Sequence, residues 1–396
     1  MDLVIITSRV PYPLEKGDKL RVFHQIRYLS QKHNIYLLSL CANESEIQEG
    51  KAEMEKYCKE IHFFKIPLWK RYLQLPMALF YGMPFTVKYF FNGSIRNKIQ
   101  RLILKINPDH IYCQLIRTAS YVRKMPYTKT IDYMDSFSLG FKRRASRSSL
   151  FLKPAFYLES KMLATYESSV YKDFNRHTII SKQDRESLDI LSRENVQIIP
   201  NGVDQDFFYP RPASEPEYHL LFCGNMGYAP NVKAAQYIYE LAPVLKNRIP
   251  NLKILIAGAR PHPMVKKMHG KHGIVISGWM DDIREAYWNS MINIAPIFTG
   301  SGLQNKILEA MACGIPCITT EIVGRSVGGQ AEKDYLIAAD KEEFSEKISA
   351  LVNDSKKRNI LAENGLKLIR KKFNWDHYSE LLNDSIVKAS EENIFN

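Results

Sequence analysis

Runs of apolar residues, many of them β-branched, alternate with amphipathic stretches along almost the whole chain. Seven runs in the first half and six in the second are predicted as strands: 2–7, 35–40, 61–64, 110–113, 129–133, 177–180, 196–199, 219–223, 252–257, 274–277, 292–295, 316–319 and 335–338. Amphipathic stretches such as 19–31 and 232–247 lie between them and are predicted as helices. Strands that alternate with helices build parallel sheets with helices on both faces. The pattern therefore predicts an α/β protein with two doubly wound, Rossmann-like sheets.

Two domains account for the length of 396 residues, which exceeds what one hydrophobic core usually holds. The densest proline cluster, at 207–218, separates the two sets of strands and has the composition of a linker. We predict an N-terminal domain, a linker, a C-terminal domain and a final helix that could pack back on the N-terminal domain: 1–200, 201–218, 219–374 and 375–396. Ligands of doubly wound sheets bind beyond the carboxyl ends of the strands, so the site is expected in a cleft that the two domains face.

The cysteines and the N-terminal residues indicate the cellular compartment. Six cysteines are spread over both halves without a C-x-x-C pair, which indicates free thiols in a reducing compartment. The opening MDLVIITS lacks the basic start and long apolar core of a signal peptide. The sequence has no run of about 18 uncharged apolar residues, so no membrane span is predicted. We expect a cytoplasmic protein.

The net charge of +13 lies in the first half of the chain. Residues 1–200 hold 32 Lys and Arg against 19 Asp and Glu, whereas residues 201–396 hold 23 of each. Residues 61–108 carry eight basic side chains and no acidic one, and they are rich in Trp, Phe and Tyr. A second basic and aromatic segment without acids follows at 141–158.

Basic residues interleaved with aromatic ones are typical of contact with an anionic membrane or a lipid phosphate. We expect Lys70, Arg71 and Lys88 to meet such a surface, as a peripheral protein at the inner face of the cell membrane would. A solvated basic face over buried aromatic rings is the alternative. Nucleic acid is a ligand that such a charge permits in principle, and we do not expect it as a partner.

The stretch GSGLQNKILEAMACGIPCITT, at 300–320, combines a glycine-rich entrance with an apolar helix. The helix is predicted from near Leu303 to Gly314, and it carries Lys306 and Glu309 three residues apart. Free amides at a glycine-flanked helix start attract phosphate, and a lysine there adds positive charge. A carboxylate one turn deeper can accept hydrogen bonds from two ribose hydroxyls. The arrangement fits a nucleoside diphosphate, while the alternative is a surface Lys–Glu pair on an ordinary helix.

This stretch resembles the donor-binding signature of glycosyltransferase family 4, the large retaining family with the GT-B fold. Further segments match that family in the expected order: RVPYPLEKGDKLRVFHQIRYLS near the N-terminus, IIPNGVDQDFF, LLFCGNMGYAPNVKAA, LKILIAGARP and IVISGWMDDIREAYWNSMINIAPI. The first of these is similar to bacterial exopolysaccharide sugar transferases. The resemblance implies a GT-B fold, Glu309 as the ribose-binding carboxylate, and the helix start at Ser301, Gly302 and Leu303 as the diphosphate site.

The chain departs from the family at three places. Ser301 stands where the family often has the first of two glutamates on this motif. The family's Arg and Lys after the first C-terminal strand are absent, because CGNMGYAPN offers Gly224 and Asn225 for the donor and no base before Lys233, so Lys306 is expected to supply the missing charge. The histidine that often follows the fifth N-terminal strand is absent, and Asp135 is expected either to face the sugar or to cap a helix.

Other candidate residues follow strands. Gly17 would let the backbone approach a phosphate closely. The alternative is that its loop is only solvated and binds no ligand. Arg260 and the loop at Trp279 and Met280 are expected to help hold the donor. The DQD at 204–206 imitates a metal motif, but its place after NGV favours turn and cap chemistry.

The sequence thus predicts a metal-independent, retaining glycosyltransferase without a cofactor. It would move a sugar from a nucleotide sugar to a saccharide or lipid-linked acceptor in capsule, exopolysaccharide or lipopolysaccharide synthesis. Lys306, Glu309 and Asp135 are the expected catalytic residues. The alternatives are a nucleotide-sugar epimerase of the same fold and a non-catalytic protein that binds a membrane or an anion through its basic surface.

Overall fold

A computed structural model describes residues 1–14, 16–211, 215–298 and 304–394. The chain forms two compact units, each with its own sheet. Unit 1 comprises Met1–Asn201 together with Trp375–Asn396, and unit 2 comprises Gly202–Asn374. The C-terminal helix is therefore part of unit 1.

Unit 1 is built on a seven-stranded parallel sheet in the order β3-β2-β1-β4-β5-β6-β7. Its strands are β1 (Asp2–Thr7), β2 (Asn34–Cys41), β3 (Glu60–Lys65), β4 (His110–Gln114), β5 (Lys129–Asp132), β6 (Arg176–Ile179) and β7 (Gln197–Ile198). The helices are α1 (Gly17–Leu29), α2 (Glu44–Met54), α3 (Leu68–Leu73), α4 (Met77–Phe80), α5 (Phe85–Phe90), α6 (Gly93–Ile106), α7 (Ile116–Ala119), α8 (Phe137–Arg147), α9 (Lys153–Tyr171), α10 (Lys182–Ser187) and, after a 3₁₀ turn at Arg193–Asn195, α18 (Trp375–Ile394).

Unit 2 is built on a six-stranded parallel sheet in the order β10-β9-β8-β11-β12-β13. Its strands are β8 (Tyr218–Cys223), β9 (Ile254–Ala257), β10 (Ile274–Gly278), β11 (Ser290–Ala295), β12 (Cys317–Thr319) and β13 (Leu336–Ile337). The helices are α11 (Ala229–Arg248), α12 (Pro263–Lys266), α13 (Arg284–Trp288), α14 (Asn305–Ala312), α15 (Glu321–Val327), α16 (Lys341–Asn353) and α17 (Ser355–Lys372).

The central strands are buried on both faces, as apolar runs of this kind require. All thirteen predicted strands are present, with ends that differ by up to two residues, and the predicted α/β class with two Rossmann-like sheets is confirmed. The strand order reverses between β1 and β4 in unit 1 and between β8 and β11 in unit 2. Such switch points leave a crevice at the carboxyl ends of the strands, where ligands of α/β sheets bind.

Helix α18 completes the core of unit 1 by packing on α1. Leu382 and Ile386 are fully buried in the cluster that contains Leu3 and Ile5 of β1. The ring of Trp375 at the start of α18 stacks on His24 of α1, with centroids 4.8 Å apart. None of the described helices is both long and apolar enough to cross a membrane.

The segment predicted as a linker belongs to unit 2 where it is described. Phe208 packs against the core of unit 2, and the carbonyl of Tyr209 accepts a 2.8 Å hydrogen bond from the Trp288 indole. Gly314 lies against Pro210, whose side chain is 3.2 Å from where a glycine-to-alanine change would place a Cβ. The described residues up to Pro210 therefore pack on unit 2, which the composition of the segment alone did not reveal.

Candidate active site

Glycines end the three strands on one side of the unit 2 switch point. Gly224, Gly258 and Gly278 follow or close β8, β9 and β10, with φ of +155°, +130° and +71°. The Gly258 amide donates to the Gly278 carbonyl at 2.9 Å. A Cβ on Gly258 would lie only 1.9 Å from the Gly224 carbonyl oxygen, so the strand-end loops stack without room for a side chain. At the ends of β8, β9 and β10, the carboxyl edge of the sheet is therefore formed by backbone atoms.

Lys306, on α14, reaches the end of β8. Its ammonium donates a 2.6 Å hydrogen bond to the side-chain oxygen of Asn231 and lies 4.7 Å from the centroid of the Phe222 ring. The same nitrogen is 3.1 Å from the position that a Cβ on Gly224 would take. Burial lowers the pKa of Lys306 to about 8, so the side chain remains mostly charged at neutral pH. Lys306 therefore places a positive charge at the carboxyl end of β8.

Glu309 is half-buried one turn further along α14. The hydroxyl of Tyr287, on α13, donates a 2.8 Å hydrogen bond to its Oε2. Burial raises the pKa of Glu309, while the Tyr287 hydroxyl and the charge of Lys306 oppose that rise. Lys306 is only 8% exposed, so the two residues are not the surface pair that the sequence left open. Glu309 has one oxygen held by tyrosine and another that can accept ligand hydroxyls.

Asn225 and Arg260 lie on the loops after β8 and β9. The side-chain oxygen of Asn225 accepts from the Gly227 amide at 3.0 Å, and its carbonyl accepts from the Asn231 amide group at 2.9 Å. Arg260 is exposed and adopts φ of +53°, and its carbonyl lies 3.2 Å from where a Cβ on Gly227 would be. The structure therefore brings these loops against each other beside Lys306.

The loop after β10 presents one ring to solvent. Trp279 is 63% exposed and its indole donates to Asp281 at 3.2 Å, whereas Met280 packs partly buried on the core of unit 2. The predicted diphosphate residues Ser301, Gly302 and Leu303 lie outside the described residues. The described part of the helix begins at Asn305.

Asp135 and Gly17 lie on unit 1. Asp135 follows β5 and is accessible to solvent, and desolvation by surrounding protein together with the charge of Asp184 raises its pKa to about 7. The residue that caps α8 is Ser136, whose side chain accepts from the Leu139 amide at 3.3 Å, so Asp135 is not the helix cap. Gly17 begins α1, and a Cβ there would touch the side chain of Met134 at 3.3 Å.

Two of the three residues expected at a membrane are buried, which corrects that prediction. Arg71 is 4% exposed and donates hydrogen bonds to the carbonyls of Ile66 and Cys41, at 2.9 and 2.8 Å. Lys88 is 6% exposed and lies 4.4 Å from the Tyr81 ring centroid. Their long side chains satisfy local carbonyls and rings instead of reaching a surface. Only Lys70 is exposed.

The Asp204 carboxylate acts in a local turn, as expected. Its Oδ1 accepts from the amides of Asp206 and Phe207, both at 3.2 Å. Among the residues that the structure describes, no group of three or more His, Cys, Asp and Glu could hold a metal ion.

Sequence reasoning missed two supporting residues, Asn231 and Tyr287. Asn231 is 6% exposed at the start of α11 and fixes Lys306, while Tyr287 is fully buried and fixes Glu309. Their partners are 75 and 22 residues away along the chain, so local pattern carried no signal for either contact.

Residues 217–354, which cover this site, match the family model described as Glycosyl transferases group 1. An uncharacterized 44.6 kDa protein in the cps region of Klebsiella pneumoniae is 20% identical over 369 residues, 87% of this chain and 89% of that protein. The capsular polysaccharide biosynthesis glycosyltransferase CapM of Staphylococcus aureus is 25% identical over 48% of this chain and 54% of its own.

A third relative is the Escherichia coli UDP-Gal:alpha-D-GlcNAc-diphosphoundecaprenol alpha-1,3-galactosyltransferase. It is 27% identical over 45% of this chain and 50% of its own length. The chain thus spans about half the length of the S. aureus and E. coli relatives, and most of the K. pneumoniae one.

Solved structures match along nearly the whole chain. Anabaena HepE in complex with UDP covers 98% of this chain and 100% of its own, with a TM-score of 0.69 and 12% identity. A sucrose-phosphate synthase of Thermosynechococcus elongatus covers 97% and 98%, with a TM-score of 0.66 and 14% identity. The fold is GT-B. A Listeria monocytogenes putative UDP-N-acetylglucosamine 2-epimerase also matches, at a TM-score of 0.62 and 12% identity over 99% and 97%, so the GT-B fold alone does not separate transfer from epimerisation.

Proposed function

We propose that the protein is a retaining glycosyltransferase that moves a sugar from a nucleotide sugar to a lipid-linked saccharide in capsular or exopolysaccharide synthesis. The observation that carries the proposal is the buried Lys306 ammonium at the end of β8, one turn from a half-buried Glu309. The group 1 match and the names of the S. aureus and E. coli relatives support glycosyl transfer and this pathway class.

In this proposal Lys306 stabilises the charge that develops on the leaving diphosphate, because a fixed cation in a poorly hydrated site acts strongly there. The other carboxylate oxygen of Glu309, for which the described residues provide no hydrogen-bond partner, accepts hydrogen bonds from the ribose. The loop at Gly224 and Asn225, with Arg260, borders the phosphates, and the loop at Trp279 and Met280 borders the nucleoside. Ser301, Gly302 and Leu303 are assigned to the same proposed site from the sequence alone.

Asp135 is proposed to face the transferred sugar from unit 1. Its pKa near 7 lets the carboxyl either donate or accept a hydrogen bond at neutral pH. Gly17, at the start of α1, is proposed to let the backbone approach the same ligand. That the anomeric configuration is retained is proposed from the family resemblance at 300–320. NMR of the product would determine its anomeric configuration.

We propose that transfer needs no metal ion, because Lys306 supplies the positive charge that a metal would otherwise supply to the diphosphate. The Asp204 carboxylate is engaged by the amides of Asp206 and Phe207, which supports a structural role for the DQD segment. Transfer should therefore persist in excess EDTA. Loss of activity in EDTA with recovery in manganese would contradict this part of the proposal.

The lipid-linked acceptor is proposed from the E. coli relative, whose name specifies a diphosphoundecaprenol-linked sugar. A lipid-linked acceptor is consistent with the proposal that unit 1 faces a membrane. Helices α3 and α4 of this unit expose several large apolar side chains. These side chains, which we call the α3–α4 apolar surface, are Leu68, Trp69, Tyr72, Leu73, Met77, Leu79 and Phe80. Phe80 is 91% exposed and Trp69 65%.

A second exposed group follows α8 and is called here the 150–158 apolar surface: Leu150, Phe151, Leu152, Tyr157 and Leu158. Glu159 of α9 accepts hydrogen bonds from the amides of Phe85 and Thr86, which ties α9 to the start of α5. Both surfaces lie in segments, 61–108 and 141–158, that contain no acidic residue. Exposed apolar side chains in segments whose charged residues are all basic favour an anionic lipid surface as the occupant.

The deciding experiment is a panel of nucleotide sugars tested by thermal shift, followed by transfer assays with a diphosphate-linked lipid acceptor. A transferase releases nucleotide only when both substrates are present and forms a longer saccharide. An epimerase would convert the sugar nucleotide without an acceptor, and a non-catalytic protein would do neither. The group 1 match and the relatives' names favour the first outcome.

A further inference from the structure

Three arginine side chains surround one phenylalanine ring in unit 1. The guanidinium carbons of Arg117, Arg71 and Arg9 lie 4.5, 4.9 and 5.7 Å from the centroid of the Phe90 ring. Arg71 donates to the backbone carbonyls of Ile66 and Cys41, and no carboxylate among the described residues lies at hydrogen-bond distance from it. The cluster therefore concentrates positive charge around a largely buried ring.

Arg117 is the member with unused donors. It is 7% exposed, and its buried Nε has no hydrogen-bond partner among the residues that the structure describes. Its Nη2 is 3.8 Å from Oδ2 of Asp18, and that same carboxylate oxygen accepts a hydrogen bond from Arg9. One carboxylate thus serves two guanidinium groups. A buried charged donor without a partner destabilises the fold, and a bound anion would offset that cost.

Burial, and then the nearby charge of Arg9, lower the pKa of Arg117 to about 10, while Asp18 and Asp135 oppose the change. The guanidinium therefore still carries its charge at neutral pH. Asp135 is only partly ionised there, because its own pKa is raised to about 7. The local balance at neutral pH is positive.

The cluster lies at the switch point of the unit 1 sheet. Arg9 follows β1 and Arg117 follows β4, two strands that pair directly, with Ile6 opposite Cys113. The chain leaves β4 through Leu115, a non-glycine residue at φ of +66°. Such strained conformations cluster at active sites and ligand clamps, where the surrounding structure holds them in place. The crevice that binds ligands in α/β sheets is therefore the one that Arg9 and Arg117 border.

We propose that Arg9 and Arg117 bind the diphosphate of the lipid-linked acceptor, an inference that rests on the proposed function. Guanidinium groups match phosphate oxygens in paired hydrogen bonds, and two of them with one shared carboxylate leave room for an anionic partner. A neutral saccharide would leave this charge uncompensated. The donor diphosphate has its own cation in Lys306 of unit 2, so the unit 1 cluster is assigned to the acceptor.

The test uses the full chain with saturating UDP, which occupies the donor site, and farnesyl diphosphate as the acceptor probe in isothermal titration. Arg117→Gln and Arg9→Gln are each expected to weaken farnesyl diphosphate binding at least tenfold. UDP affinity, measured separately, should stay within twofold of wild type. The control is Arg101→Gln, an exposed arginine of α6 in the same unit, which should change neither affinity. Farnesol should bind all variants equally, because it carries no phosphate.

Three results would overturn the assignment. Unchanged farnesyl diphosphate affinity in both variants would exclude a phosphate contact, and a selective loss of UDP affinity would assign the arginines to the donor. Equal losses with farnesol would show that the lipid tail, not the phosphate, is affected. If Arg117→Gln does not fold, Arg117→Lys and the more exposed Arg9→Gln carry the test. Failure of every nucleotide to bind the wild type would instead refute the proposed function.

Discussion

The Lys306 ammonium donates a 2.6 Å hydrogen bond to the side-chain oxygen of Asn231. The amide group of Asn231 in turn donates to the Asn225 carbonyl at 2.9 Å. This chain of contacts fixes a cation from α14 against the loop that follows β8. A charge that is already positioned needs little reorganisation when an anion arrives, which is what stabilisation of a leaving diphosphate requires.

Nucleotide affinity should fall as the pH rises from 7 to 9. The pKa of Lys306 is lowered to about 8 by burial, so the free protein loses this charge across that range. Bound diphosphate favours the charged lysine, and binding must therefore take up a proton at the higher pH. Titration of UDP at pH 7, 8 and 9 measures the slope. Lys306→Gln should bind weakly at pH 7 and show a flat profile, and an unchanged slope in that variant would assign the titration to another group.

Glu309→Ala should weaken nucleotide binding by about 1.5–3 kcal/mol, the range for hydrogen bonds to a charged group. The carboxylate has one oxygen on the Tyr287 hydroxyl and, in the proposed function, the other on the ribose. The loss should be smaller for a 2′,3′-dideoxy nucleotide, which lacks those hydroxyls. Glu321→Ala, at an exposed glutamate of unit 2, is the control. Equal loss for both nucleotides would place Glu309 away from the ribose.

Gly258→Ala should destabilise unit 2 far more than Gly278→Ala. Both glycines have positive φ, but a Cβ at 258 would lie 1.9 Å from the Gly224 carbonyl oxygen, whereas nothing lies within 4 Å at 278. The strained backbone alone costs about 1–2 kcal/mol, which is the loss expected at 278. At 258 the strand-end loops must separate as well. Chemical unfolding of the two variants gives the comparison, and similar losses would show that the loops yield easily.

The strands were predictable because most are short apolar runs, and the central ones are buried on both faces, which requires such runs in the sequence. Lys306 and Glu309 were found because a glycine-rich entrance and an apolar helix occur together at 300–320. Arg71 and Lys88 were misplaced, because the carbonyls and rings that bury them come together only in the fold.

Arg117 follows the buried strand β4, and the loops after strands are where functional residues were expected. That its Nε lacks a hydrogen-bond partner among the described residues can be seen only in the folded structure. Asn231 and Tyr287 carry no local signal for a similar reason. What a residue contacts across the fold is set by tertiary packing, and a single sequence does not display it.

Glu167 should contribute more to the stability of unit 1 as the pH falls from 7 toward 5, against the opposite contribution of the buried His110 and His177, whose pKa values burial lowers to about 3 and about 4. Glu167 is fully buried and accepts hydrogen bonds from the amide and hydroxyl of Ser138, at 3.1 and 2.6 Å. Desolvation raises its pKa from 4.5 to about 7, so the folded state holds a proton that the unfolded state has already lost. The folded state is therefore favoured below its pKa of about 7, and this advantage is lost as the pH rises through 7.

The difference attributable to Glu167 is about 3 kcal/mol between pH 4.5 and 7.5, from the size of the shift. Glu167→Gln keeps an acceptor for the Ser138 amide and removes the titration. Unfolding of the wild type and of the variant at both pH values isolates the effect from Asp135, which titrates in the same direction in both proteins. Parallel pH profiles would mean that Glu167 stays charged in the folded state.

Unit 1 should bind vesicles that contain anionic lipid through its exposed apolar residues. Arg71 and Lys88 are buried and are not expected to contact the lipid. Replacing Trp69, Leu73 and Phe80 by serine removes large side chains that are 65, 70 and 91% exposed. Rings and aliphatic groups at these positions can enter the headgroup region without first leaving a protein core. The triple variant should lose most co-sedimentation while keeping the wild-type melting temperature, because exposed side chains contribute little to folding.

The matched control replaces two exposed apolar residues of unit 2, Ile322 and Ile360, which are 46 and 53% exposed. It should sediment like the wild type. Lys70→Glu should weaken binding by on the order of 1 kcal/mol at low salt and less as salt rises, since a base near an anionic surface contributes about that much. If the wild type binds vesicles without anionic lipid equally well, charge does not contribute to binding. Equal loss in the unit 2 control would mean that sedimentation reports general hydrophobicity, and the α3–α4 apolar surface would then need another partner.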